Sequence, residues 1–461
     1  MNEVSGLPSD VEAGWLARRI RIGNARDIAA SIRDLVDAGQ LPRGRKLPTV
    51  RMMAKATGVS VGTIASAWGM LRDDGIVRTQ RRGGSIIADN RPQPQAPAVP
   101  SAWTDWVSVD LAQGVPDPAL QPGLDAALVA GSRTPNLNSP YREYITPALR
   151  EAVQADWPFV PEAWFTAGGG SEGIVLAAEA AAMAGDVVAI EQPTSPRLLA
   201  VIEKLGFKPV GVACDAEGPL PEALAAVLRQ HRPRAFFYQP RAHVPLGLRV
   251  SDARLEALAE VLSGFGGDVS IVEDDNTGPL SESSVPSLGD RFPGQVLHVR
   301  TYCKTYGVDL RTCVVGGAER LVQRMAEKRS HGMVMNSRIL QDALAHLISS
   351  SEVKLVIDHA RQRYAWRRQT LMRALARHGL RAGNPDGLML WLTVPDENAA
   401  LLALATYGIT VGAGRKCFID PPATGHLRIA VSRLPDDEDA IGQLAELVAT
   451  ALRGKPRPEF D

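Results

Sequence analysis

Apolar residues recur along this chain with different spacings, and each spacing predicts a different element. Near the front, Ile28, Ile32, Leu35 and Val36 fall on one face of a helix, which Gly39 stops with Pro42 just beyond. Thr49 is placed to cap a second helix running through Ala56. Gly58-Val59-Ser60 makes a tight turn, and Ser60 caps a third helix carrying Ile64, Ala67, Trp68 and Leu71 as far as Gly75. Residues 76–79, a basic turn at 81–84 and residues 85–87 then read as strand, turn and strand. The predicted unit is a helix-turn-helix followed by a wing.

Proline replaces this periodicity over residues 89–107, which predicts a semi-extended linker. Beyond residue 108, short apolar runs alternate with Ala/Leu-rich helical stretches. The runs at 187–190, 235–238, 269–272, 296–299 and 313–315 are strand candidates, and the alternation predicts an α/β domain with a mainly parallel sheet. Residues 352–380 read as a long charged helix. Strands at 388–394 and 427–431 suit a small C-terminal α+β lobe. The expected division is therefore 1–88 for the winged helix-turn-helix, 89–107 for the linker and 108–453 for the large domain.

At 461 residues the chain has room for two or three domains, and its 45% hydrophobic content supports a large core. The zero formal net charge hides an asymmetry. The first 90 residues hold 14 Lys/Arg against 9 Asp/Glu, so the front end is basic, as a nucleic-acid binder requires. The four cysteines and eight histidines show no metal-ligand or redox spacing, so no metal is expected and the thiols suit a reducing cytosol. Glu3, Asp10 and Glu12 leave no secretory signal pattern. The most membrane-like stretch, 173–190, is interrupted by Glu179 and Asp186. A cytoplasmic protein that does not enter a membrane is the expectation.

In a helix-turn-helix the second helix enters the major groove, and its first residues meet base edges. Here these are Ser60, Val61, Gly62 and Thr63. Arg51 on the preceding helix is placed for a phosphate or a base, and Arg81 and Arg82 at the wing tip for the minor groove or backbone. The segment Leu47-Pro48-Thr49-Val50-Arg51, with Gly58-Val59-Ser60, Thr63-Ile64, Trp68, Leu71 and Gly75-Ile76-Val77, resembles the GntR family of bacterial regulators. That resemblance implies a double-stranded DNA operator as partner. One departure is Val61-Gly62 after the turn serine, where a basic residue is common.

The large domain carries a lysine, an acidic cluster, a glycine turn and an arginine: Lys304, Glu273-Asp274-Asp275, Gly168-Gly169-Gly170 and Arg311. Pyridoxal 5'-phosphate (PLP) needs an amine for a Schiff base, a carboxylate at its ring nitrogen, backbone N–H groups at a helix N-terminus for its phosphate, and a guanidinium beside that phosphate. A lone lysine after a strand is usually a solvated charge; the ordered combination carries the argument. Residues 108–453 resemble fold-type-I aminotransferases, in particular the PLP-binding half of the MocR-type branch of GntR regulators. The matching segments are Gly114-Val115-Pro116-Asp117-Pro118, Pro147-Ala148-Leu149-Arg150, Thr166-Ala167-Gly168-Gly169-Gly170, Gln239-Pro240 to Pro245-Leu246-Gly247, Glu273-Asp274-Asp275, Thr301 to Arg311, and Leu427-Arg428-Ile429.

The resemblance implies a Schiff base on Lys304, Asp274 at the ring nitrogen, Gly169, Gly170 and Arg311 around the phosphate, and Thr301 as the cofactor-binding hydroxyl residue just upstream of the lysine. It also implies Arg428 as the grip on an effector carboxylate. Three departures stand out. Asn276 replaces a tyrosine that would bond the cofactor's phenolic oxygen. Thr194-Ser195 replaces an aromatic that would stack on its ring. His243 stands where an amide is usual, and is expected to substitute for it near the cofactor's hydroxyl. The expected function is a homodimeric, PLP-dependent transcriptional regulator that senses an amine or amino acid and has little or no transaminase turnover. Two alternatives stay open: an active aminotransferase with an accessory winged helix, and a regulator that has lost PLP.

Overall fold

The computed structural model describes residues 11–42, 44–74, 76–80, 84–88, 109–383 and 385–453. The chain divides after residue 98 into two compact units. The expected linker at 89–107 lies outside the described residues, as do Gly75 and the wing-tip Arg81 and Arg82.

The first unit packs four helices, α1 (Ala13–Ala17), α2 (Ala25–Asp37), α3 (Val50–Thr57) and α4 (Val61–Asp73), beside a hairpin of β1 (Val77–Gln80) and β2 (Gly84–Ile87). Asn24 opens α2 with a reciprocal capping box with Asp27, and Thr49 and Ser60 cap α3 and α4 through their hydroxyls. Gly58, at φ 72°, makes the left-handed turn between α3 and α4 that a side chain would resist. Ile28, Ile32, Ile64, Ala67, Trp68 and Leu71 form the core, as their spacing predicts. The short α1 lacks a side-chain cap and adds Leu16 to that core.

The second unit is built on an eight-stranded sheet in the order β4 (Ala163–Ala167), β11 (Cys313–Gly317), β10 (Val296–Thr301), β9 (Ser270–Asp275), β8 (Ala235–Tyr238), β5 (Val187–Gln192), β6 (Lys208–Asp215), β7 (Gly218–Pro219). The run from β10 through β9, β8 and β5 to β6 is parallel, and the outer pairs are antiparallel. Helices cover both faces, which leaves the central strands almost wholly buried, as parallel sheets require. A second sheet joins β12 (Ala382–Gly383), β13 (Met389–Val394), β15 (Gly425–Ala430), β14 (Ile409–Ala413) and β3 (Val109–Leu111). The helix Ser351–Arg377 leads from the large sheet into this lobe, whose core includes Leu371, Leu390, Leu427 and Leu444. No helix among the described residues is long and apolar enough to cross a membrane.

Candidate functional site

A cavity of about 260 Å³ opens where the carboxyl ends of the parallel strands meet the smaller lobe. Its lining includes Gly170, Ser195, Arg197, Asp274, Asn276, Lys304 and Arg428. Ligands of open α/β sheets collect at this end of the strands.

Strand alternation sorts the acidic cluster. Successive side chains of β9 point to opposite faces, so Asp274 enters the cavity while Glu273 and Asp275 turn to the other side. There Asp275 accepts from Arg241 at 2.9 Å through both oxygens and from Arg300 Nε at 2.9 Å. Burial raises the Asp275 carboxyl, but Arg241, His298 and Arg300 outweigh it and hold it well below the usual range. Glu273 accepts from the Tyr238 hydroxyl at 2.6 Å and the Leu288 amide at 2.7 Å, and meets His298 Nδ1 at 2.7 Å. The two outer acids are thus the posts that fix β9. Asp274 is left with one oxygen buried and without a hydrogen-bond partner among the described residues. Burial, against the opposing charge of Lys304, raises its carboxyl to about 7.

Lys304 sits on a single helical turn, Cys303–Tyr306, just after β10. Its Nζ donates to Asn276 Oδ1 at 2.8 Å. Burial lowers this amine to about 8, against the opposing pull of Asp274. A neutral fraction of that size is what a nucleophilic lysine requires near neutral pH.

The phosphate end is equally specific. Gly169, at φ 104°, leads into the helix Gly170–Ala181, whose first residue lines the cavity. Any side chain at Gly170 would collide with Thr301 Oγ1, and one at Gly169 would press within 3.6 Å of the Arg311 guanidinium carbon. Thr301 Oγ1 is itself buried without a partner among the described residues. A glycine cradle, a hydroxyl and a guanidinium with no ion-pair partner among the described residues, all at a helix N-terminus, suit a phosphate. The partnerless Asp274 oxygen suits a protonated ring nitrogen, and the Lys304 amine an aldehyde. The residues present therefore fit PLP. When bound there, PLP supplies an aldehyde that condenses reversibly with primary amines.

Arg428, on β15, reaches the same cavity with its Nε buried and unpartnered among the described residues. Gly412 lies beside it on β14, where a Cβ would meet its Nη2 at 2.7 Å. His243 does not join the site. It is fully buried, its Nδ1 accepts from the Leu246 amide at 3.3 Å, and its Nε2 lies 3.3 Å from Glu191 Oε1. Val244, not His243, lines the cavity, because the turn ending at Pro245 points the imidazole into the buried Glu191–Gln239 cluster. Reading the sequence also misses Arg197, which no spacing marks and which lines the cavity two residues after Ser195. Among the described residues no set of side chains could hold a metal ion.

In the first unit, Ser60 Oγ accepts from the Thr63 amide at 3.1 Å and lies 2.8 Å from the Thr63 hydroxyl. Ser60, Val61 and Gly62 are exposed at the head of α4, and Arg51 is exposed on α3.

Residues 109–442 match the family described as aminotransferase class I and II, and residues 24–87 the bacterial regulatory proteins of the gntR family. The vitamin B6 salvage pathway transcriptional repressor PtsJ of Salmonella typhimurium is 30% identical over 93% of this chain and 98% of its own length. The HTH-type transcriptional regulator YdcR of Escherichia coli is 26% identical over 85% of this chain and 91% of its own length. A kynurenine aminotransferase structure from Pyrococcus horikoshii superposes with a TM-score of 0.68 at 20% identity, covering 75% of this chain and 91% of that one.

Proposed function

This chain belongs to the class I and II aminotransferase family over its large unit and to the gntR regulators over its first, and from that premise we propose that PLP held on Lys304 is its sensing group. It is a transcriptional regulator of the GntR/MocR type whose aminotransferase-like unit responds to a small metabolite. The observation that supports the cofactor reading is the meeting in one cavity of the Lys304 amine, an Asp274 oxygen buried without a partner among the described residues, and the Gly170 end of a helix.

In this reading Asp274 holds a proton at the ring nitrogen, with β9 fixed beneath it by Arg241 and Arg300. Gly169, Gly170, Thr301 and Arg311 take the phosphate. Arg428 takes the carboxylate of an amino-acid effector, which competes with Lys304 for the aldehyde. Transamination is slow or absent, because Asn276, which bonds the cofactor's phenolic oxygen only in part, and Ser195 weaken the hydroxyl bond and ring stacking that hold the ring for proton transfer. Two such units associate through the aminotransferase-like domain, so that two heads read paired half-sites.

The effector shifts operator affinity only through its different affinity for two conformations, typically about 1–3 kcal/mol. The test is a visible-absorbance titration of the purified protein with PLP, then with amino acids, beside an operator-binding assay. A visible band, moved by an amino acid together with operator affinity, supports the reading. A protein that never acquires the band refutes it.

The similarity to a vitamin B6 salvage repressor favours a second reading, in which PLP itself is the signal. Operator affinity then differs between the PLP-free and PLP-loaded protein with no amine added.

A further inference from the structure

Arg197 stands second in the helix Pro196–Lys204 and lines the cavity beside Lys304 and Asp274. Its Nη1 donates to the Ser171 hydroxyl at 2.7 Å. Ser171 lies in the first turn of the helix Gly170–Ala181, so the guanidinium rests against a helix N-terminus. That pole is positive and disfavours a cation unless an anion comes between them. Among the described residues no carboxylate lies within ion-pair distance of Arg197, although Asp274 across the cavity feels its charge, and the acid of that turn, Glu172, is 3.2 Å from Arg329 Nε instead. Arg311 reaches the same N-terminus beside Gly169. Two guanidiniums thus lie near the first turn of one helix, and Thr301 Oγ1, next to Gly170, is buried without a partner among the described residues.

We infer that Arg197 is a second guanidinium for the phosphate of a phosphorylated ligand, compensating for the ring-stacking aromatic that Ser195 replaces. Rather than being clamped by stacking on its ring, the cofactor is held mainly by its phosphate ester. The consequence is specificity. The site discriminates a phosphorylated aldehyde from the free one more strongly than Arg311 alone allows, so the cofactor it retains is the phosphorylated form. This inference rests on the proposed PLP site.

The test titrates the visible band of the full-length protein with PLP and, separately, with unphosphorylated pyridoxal, in the wild type, Arg197→Gln and Arg197→Lys. Charge-assisted bonds to a phosphate oxygen predict that Arg197→Gln weakens PLP binding about tenfold or more, leaves pyridoxal binding unchanged, and is partly rescued by lysine. Inorganic phosphate should compete with PLP less effectively in Arg197→Gln than in the wild type. Equal losses for PLP and pyridoxal place Arg197 on the ring or in the fold and overturn the inference. Unchanged PLP affinity overturns it as well. A wild type that forms no band with PLP refutes the cofactor site itself, a result distinct from either.

Discussion

At the scale of single residues, the site is governed by what burial does to two opposite charges. Lys304 lies near 8 and Asp274 near 7, each displaced toward its neutral form by desolvation and restrained by the other. Only the neutral amine attacks an aldehyde. At pH 7.5 roughly a quarter of Lys304 would be neutral, against about one in a thousand for a lysine at its ordinary value. The rate of PLP capture should therefore rise with pH up to about 8 and then level off, which stopped-flow absorbance measures directly. A rate still climbing tenfold per unit at pH 9 would show that the amine is not depressed. Lys304 and Asp274 do share one cavity, and the sequence points to them because an acid, a lysine and an arginine follow one another in that order. That Glu273 and Asp275 turn away was also implicit, in the two-residue period of a strand. His243 was misread because a sequence position near a cofactor loop does not specify which way a ring points. Arg197 was missed because nothing local distinguishes it from a solvated arginine.

At the scale of elements, capping and exposure set the DNA-reading end. Ser60 serves α4 twice: its hydroxyl takes the Thr63 amide, and it stands exposed with Val61 and Gly62. Ser60→Ala removes the cap at a cost of about 1 kcal/mol, whereas Ser60→Asp keeps an acceptor for the amide and places a negative charge where DNA phosphates arrive. Hydrogen exchange over residues 61–73 should therefore quicken in Ser60→Ala and stay slow in Ser60→Asp, while operator binding falls further in Ser60→Asp. If Ser60→Asp binds the operator as well as the wild type, α4 does not present this end to DNA.

The helices and turns of the first unit were readable because capping residues, glycine and a three-to-four-residue apolar period agree there. The large sheet was only partly readable. β4 and β6 escaped notice because Ala163–Ala167 has only Trp164 and Phe165 as large apolar residues, and because Lys208–Asp215 carries proline, glycine and a half-exposed alternation next to the sheet edge. Both still matter to the site: β5, next to β6, leads to Ser195 and Arg197, and β4 leads to the glycine cradle.

At the scale of the molecule, the chain divides into two compact units, one matching the gntR regulators and one the class I and II aminotransferases. The first unit has its own core, built from Ile28, Ile32, Ile64, Trp68 and Leu71. A lesion confined to the cavity should therefore spare basal operator binding. Lys304→Ala is that lesion: it removes the only amine lining the cavity among the described residues and leaves the phosphate cradle in place. The variant should lose the visible band and any response to amino acids, yet bind the operator with the affinity of the PLP-free wild type. Its affinity should also fall with salt along the same slope, since the counterions released belong to the basic head and log K falls by about 0.9 per phosphate contact for each unit of log salt. Fluorescence anisotropy with a labelled operator at several salt concentrations measures both quantities. A changed slope in Lys304→Ala would mean that the large unit itself touches DNA. A lost basal affinity with the slope intact would mean that the lysine is needed to hold the heads in a binding arrangement. An undiminished band would remove Lys304 from the chemistry altogether.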